Sequence, residues 1–251
     1  MKKLMAANWK MYKTWDDARA TAQSLADLTA SKLPDDREVL IFPPFTALKG
    51  VSDVFGPLAG FSTGGQDFYT EAEGAFTGEI SPAMLLDAGA AYGLTGHSER
   101  RHVLGEDDAL VGRKTAYGLV SGLKVILCVG EKIDERRAGQ VEAVLRRQLD
   151  VGLKDVPRDV NPADLSVAYE PVWAIGTGEV AGPGEIVEAH ACIRKILQAE
   201  FGEKGNKIRI LYGGSVKPAN CAEIIALDNV DGVLVGGASL LSESFSQIVL
   251  A

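Results

Sequence analysis

Cysteine is scarce in this chain of 251 residues: Cys128, Cys192 and Cys221 are an odd number at wide, unpatterned spacing. That excludes a disulfide framework and points to a reducing, cytoplasmic compartment. Histidine is equally sparse. His97, His102 and His190 form no H-x-x-x-H pattern and have no cysteine pair beside them, so no metal centre is expected. Basic residues are outnumbered, 26 Lys and Arg against 34 Asp and Glu, for a net charge of −8. Nucleic acid and anionic membrane surfaces are thereby excluded as partners, because both need a basic face. No apolar run approaches the ~20 residues of a membrane span. Met1-Lys2-Lys3 imitates an export signal, yet the apolar stretch behind it stops at Ala7. Nucleotide fingerprints are missing too. Gly176-Thr177-Gly178 with Gly182 is one residue off the dinucleotide spacing, and no Gly-Lys-Ser/Thr occurs. No cofactor is expected.

What is present is a sizeable core, 46% hydrophobic, cut into short β-branched runs. Val39–Phe42, Val125–Val129, Leu165–Tyr169, Ile208–Leu211 and Val233–Val235 are continuous and apolar, as strands buried on both faces require. Leu4–Ala7, Phe61–Gly65 and Tyr92–Thr95 are weaker and are supported by their place in the alternation. Helical patterns lie between. Thr14 and Asp17 form a capping signal ahead of Ala18, Ala22, Leu25 and Leu28, and Ser81-Pro82 opens a helix that Gly89 stops. Val141, Val144, Leu145 and Leu149 share one face, as do Ile186, Ala189, Ile193, Ile196 and Leu197. His102 and His190 read as surface positions. Strands separated by helices run parallel. Eight units of ~31 residues predict a single eight-stranded parallel (β/α)8 barrel, one catalytic domain over residues 1–251 with no linker.

Reacting groups in such a barrel lie where strands end. Those positions hold Asn8 and Lys10, Gln66, then His97, Ser98 and Glu99, Glu131, Glu170, Gly213-Gly214-Ser215 and Gly236-Gly237. Each alone reads as readily as a cap or a loop hydrogen bond; their joint occurrence at one rim favours chemistry. Backbone N–H groups converge on an anion where side chains leave room, and the two glycine loops follow the seventh and eighth strands, the usual phosphate site of this architecture. After Glu170, a stiff Pro171-Val172-Trp173-Ala174-Ile175 runs into Gly176-Thr177-Gly178. That is the composition of a lid on hinges, and equally of a surface loop whose Trp fills a groove. One carboxylate, one imidazole and one ammonium around a phosphate pocket suit cofactor-free proton transfer beside a carbonyl, as in aldose–ketose phosphate interconversion.

Asn8-Trp9-Lys10, Gly96-His97-Ser98-Glu99-Arg100-Arg101, Ala168–Gly178 and Tyr212-Gly213-Gly214-Ser215-Val216 resemble the triosephosphate isomerases. The likeness extends through Gly74–Glu79, Cys128–Glu131 and Gly236-Gly237, so it spans essentially the whole chain. The resemblance implies dihydroxyacetone phosphate and D-glyceraldehyde 3-phosphate as substrates. It implies Glu170 as the base that moves the proton, His97 as the electrophile and Lys10 as the source of positive potential. Asn8 would hydrogen-bond the substrate, and Glu99 would support Lys10. Gly176, Ser215, Gly236 and Gly237 would bind phosphate, and Pro171–Gly178 would form the lid. Thr77, in the segment that resembles a subunit-inserting loop, implies a homodimer. Departures are few: Ala6-Ala7, Tyr12, Asp67, Glu179 and Gly182-Pro183-Gly184 stand where the family commonly has other residues. Two other readings remain beside this one. One is an isomerase of a longer phosphosugar; the other is a non-catalytic phosphometabolite-binding barrel.

Overall fold

The structure is a computed structural model, and it describes residues 1–175 and 181–251. Eight strands close into one parallel barrel in chain order. They are β1 (Lys3–Asn8), β2 (Arg37–Phe42), β3 (Phe61–Gly65), β4 (Tyr92–Thr95), β5 (Lys124–Val129), β6 (Leu165–Tyr169), β7 (Arg209–Tyr212) and β8 (Gly232–Val235). The helices around them are α1 (Trp15–Thr29), α2 (Phe45–Phe55), α3 (Pro82–Asp87), α4 (Ser98–His102), α5 (Asp108–Val120), α6 (Ile133–Arg137), α7 (Val141–Gly152), α8 (Pro183–Phe201), α9 (Pro218–Ile225) and α10 (Ser242–Val249). Among the described residues no helix is long and apolar enough to cross a membrane.

The unbroken apolar runs are explained by two cores. Leu4, Ala6, Leu40, Phe42, Leu94, Ile126, Cys128, Ala168, Leu211 and Leu234 fill the barrel interior. Their neighbours Met5, Ala7, Val39, Ile41, Leu127, Val129, Val167, Ile210, Val233 and Val235 face the helices. Side chains alternate along a strand, so Asn8 continues the inward parity of Leu4 and Ala6, and Glu170 that of Ala168. The same count sets Gly213 after Leu211 and Gly236 after Leu234. Strand parity therefore aims the reactive residues into the barrel mouth.

The weak strands have a packing reason. A Cβ on Gly64 would lie 2.3 Å from the Phe42 ring, and one on Gly93 would lie 2.4 Å from Phe68. Glycine lowers β propensity there because a large neighbour occupies its space. The predicted caps are in place. Thr14 and Asp17 bond reciprocally at the start of α1, and the Ser81 side chain accepts the Met84 N–H at α3. At α8 the altered Gly182-Pro183-Gly184 start is capped through Glu185, whose carboxylate accepts the Gly182 N–H at 2.8 Å. Leu28 is only half-buried, and Ala26 and Thr29 complete the inner face of α1.

His190 is a correction: it lies wholly buried on α8, edge-on to Tyr169, with Nδ1 2.9 Å from the Asn229 carbonyl. Position 190 follows Ile186 by four and precedes Ile193 by three, so the apolar stripe carries it inward. Desolvation pushes its pKa down to about 4 from 6.5. The folded state therefore holds a neutral ring, whereas the unfolded chain protonates it below about pH 6.5. Stability contributed by His190 is present above that pH and is lost as the pH falls toward 4, by roughly 3 kcal/mol. Denaturant titrations at pH 7 and pH 4.5 should show a smaller acid-induced loss for H190Q than for the parent chain; equal losses would refute the assignment.

Candidate active site

At the end of β1, the Asn8 side-chain oxygen accepts the Lys10 N–H at 2.9 Å, and Lys10 adopts φ +52°. Asn8 thus fixes the backbone turn from which the lysine reaches into the mouth. Gln66 secures the same turn, donating to the Lys10 carbonyl at 2.8 Å and the Phe42 carbonyl at 3.0 Å. Trp9 is fully buried and donates to the Ser239 carbonyl, tying this loop to the one after β8. Lys10 Nζ meets the Glu99 carboxylate at 2.7 Å, the neighbour that the family resemblance implied.

His97 both caps α4 and faces the cavity. Its Nδ1 accepts the Glu99 N–H at 3.3 Å, while Nε2 lies 3.0 Å from Glu170 Oε1. An acceptor at Nδ1 places the proton on Nε2 and aims it at the carboxylate. Burial of the ring opposes an imidazolium, but the adjacent Glu170 outweighs it, and the pKa lies above that of an ordinary histidine in this arrangement.

Glu170 is buried, with Oε2 accepting the Ser98 N–H at 2.9 Å and Oε1 within 3.4 Å of the Ser98 hydroxyl. Burial pushes its carboxyl up; His97, the Ser98 N–H and Lys10 pull it down by more, leaving it below the usual glutamate value. Its backbone is wedged. A Cβ on Gly130 would sit 1.7 Å from the Glu170 carbonyl oxygen, and one on Gly213 would sit 2.9 Å from Glu170 Cγ.

These groups open on a cavity of about 340 Å³ lined also by Ile175, Gly214, Ser215, Leu234, Gly236 and Gly237. A Cβ on Gly236 would touch Lys10 Cε at 3.3 Å, so the ammonium lies against the glycine loop. Gly237 opens a single 3-10 turn to Ser239, and the first N–H of such a turn has no partner within it. Tyr12 and Lys217, which sequence reasoning missed, stand at the rim.

Glu131 takes no place in the cavity. It is fully buried, and its Oε1 accepts from the Tyr169 hydroxyl, Trp173 Nε1 and Arg136, each at 2.9–3.0 Å. It anchors the segment after β6, where Val172–Ala174 forms a 3-10 turn and Pro171 packs on Gly214. Of the predicted lid and phosphate residues, Gly176, Thr177 and Gly178 lie outside the described residues. Thr77 lies away from the cavity in a loop exposed from residue 71 to 79. Ser98 escaped the sequence reading as a partner of Glu170, because a main-chain N–H leaves no mark on residue type. Among the described residues no cluster of three or more His, Cys, Asp or Glu is arranged to hold a metal.

The family model for triosephosphate isomerase matches residues 3–251. A triosephosphate isomerase of Nitratidesulfovibrio vulgaris (strain Miyazaki F) is 68% identical over all 251 residues, covering 100% of both chains. That of Oleidesulfovibrio alaskensis is 59% identical over the same span, again covering both chains fully. Among solved structures, triosephosphate isomerase from Bartonella henselae superposes with a TM-score of 0.88 at 37% identity, covering 99% of this chain and 98% of that one.

Proposed function

The chain belongs to the triosephosphate isomerase family, and from that premise we propose how its residues carry the interconversion of dihydroxyacetone phosphate and D-glyceraldehyde 3-phosphate. The carrying observation is the contact of Glu170 with both His97 Nε2 and the Ser98 N–H at the wall of a cavity of about 340 Å³.

Glu170 takes a proton from the carbon next to the carbonyl and returns it to the neighbouring carbon. His97, with its proton on Nε2, donates to whichever substrate oxygen carries the developing negative charge. Lys10 adds a fixed positive field, and Asn8 orients the substrate beside it. Ser215, Gly236 and Gly237 bind the phosphate through backbone N–H groups. Glu99 holds the Lys10 ammonium in place. In the free enzyme Glu170 and the substrate oxygen compete for the same Nε2–H, so substrate entry releases the carboxylate from His97 toward carbon. Burial then favours the reaction, since a desolvated carboxylate is a stronger base.

We read residues 1–251 as one catalytic domain in the cytoplasm, with support from three free cysteines. A homodimer is supported by a group of the large exposed apolar side chains. Six of the twelve, Met11, Tyr12, Trp15, Phe45, Phe76 and Met84, fall in the segments that follow the first three strands, and Phe76 and Met84 flank the Thr77 loop. A second copy of the same face would cover them. A coupled assay of triose isomerisation, run on protein of known mass by light scattering, tests both readings. Turnover of the three-carbon phosphates by a species of twice the chain mass is expected. A fully active monomer at micromolar concentration would refute the dimer, and preference for a four-carbon phosphate would refute the substrate.

A further inference from the structure

The end of the barrel opposite the catalytic mouth carries a second cavity, about 680 Å³, twice the volume of the first. It opens among strand beginnings and the segments leading into them. Lys124 starts β5 and Arg209 starts β7; Lys204 and Lys207 come from the turn before β7, and Lys2 from the segment before β1. Among the described residues Glu38 is the one acidic residue in the lining.

The floor is built rather than fluid. Arg209 is buried, pairs with Glu38 at 2.7 Å and donates to the Tyr92 hydroxyl at 3.2 Å. Lys124 Nζ lies over the Tyr92 ring, 5.3 Å from its centre. The four lysines differ: among the described residues none of Lys2, Lys124, Lys204 and Lys207 has a carboxylate within 4.0 Å. In a chain with 34 acidic residues and 26 basic ones, partners abound. Four unpaired ammonium groups around one concavity repel each other, and the low-dielectric wall strengthens their common field. Glu203 beside Lys204 and Asp164 beside Ala163 offset part of this field without pairing with any of the four, and acidic groups farther off than the ~8–10 Å Debye length do little to cancel it.

We propose that this cavity binds a compact polyanion bearing two or more phosphoryl groups. A single phosphate is too small to satisfy four ammonium groups spread over that volume. An extended polyanion would meet the acidic remainder of the surface. The ligand enters at the N-terminal ends of the strands, and Glu170, His97 and Lys10 stand at the C-terminal ends, so occupancy leaves the triose site free. The proposal does not depend on the roles assigned there.

Calorimetric titration of the whole enzyme at 0.1 M salt tests this, with inorganic triphosphate in one arm and ATP without magnesium in the other. Saturating glycerol 3-phosphate is present throughout to fill the catalytic pocket. Saturable binding of one anion per chain is expected, with affinity lowered at least ~10-fold in the surface double variant K204E/K207E. Isomerase activity of that variant should stay at the parental level. Equal affinity in the two arms identifies the phosphate chain as the ligand; tighter ATP binding adds the nucleoside, seated against Pro162 and Ala163. No saturable binding below about 1 mM in either arm would overturn the proposal. So would binding that is undiminished in the double variant.

Discussion

Glu170→Gln is expected to lower kcat by about 10³-fold while leaving KM within a few fold of the parent. The amide has the same shape and can still accept the Ser98 N–H, so the cavity should keep its form. What it loses is the ability to take a proton from carbon. A factor of 10³ corresponds to ~4 kcal/mol of transition-state stabilisation, within the range a positioned base supplies. One side effect checks the geometry independently. The carboxylate is what raises the His97 pKa, outweighing burial, so in E170Q that pKa should fall. NMR titration of the ring reads it directly. Unchanged turnover in E170Q would remove Glu170 as the base; a lowered kcat with an unmoved His97 titration would mean that the two groups do not pair in solution.

The second large effect concerns stability. Lys114 is buried on α5, where its ammonium bonds Asp67 at 2.7 Å and Glu106 at 2.5 Å, and Arg100 joins the same two carboxylates. Burial already pushes the Asp67 carboxyl up despite Lys114, and Glu106 keeps one oxygen without a hydrogen bond. Lys114→Met would leave two buried carboxylates sharing one half-exposed arginine. Removing one partner from such a network costs about 3–5 kcal/mol. Urea unfolding should show that loss, and adding D67N and E106Q to K114M should recover much of it, because the orphaned charges are then gone. A loss below about 1 kcal/mol would show that the network is held by Arg100 and solvent instead.

Legibility in the sequence followed physical range. Apolar runs are local, so they located β2, β5, β6, β7 and β8, and reading strand ends reached Glu170 after one of them and Asn8 after the weaker first strand before any geometry was known. β3 and β4 were faint because Gly64 and Gly93 answer to Phe42 on the next strand and Phe68 in a loop, contacts between separate segments that leave no periodic trace. The Lys114 network joins residues 47 positions apart and was visible only as an unusual Asp67. His190 was legible, lying within a helical stripe; its polarity obscured the position. Glu131 occupies a strand end like the reactive residues, and residue type alone does not separate an anchor from a base.

Gly130 has a consequence for anyone moving this chemistry to another scaffold. A graft that carries over Glu170, His97, Lys10 and the phosphate loops would copy every functional group and still misplace the base. With a Cβ at position 130 only 1.7 Å from the Glu170 carbonyl oxygen, β5 and β6 could not hold their present spacing. The transplantable unit therefore includes a hydrogen atom where other residues carry carbon, and its minimal blueprint is written partly in omitted atoms.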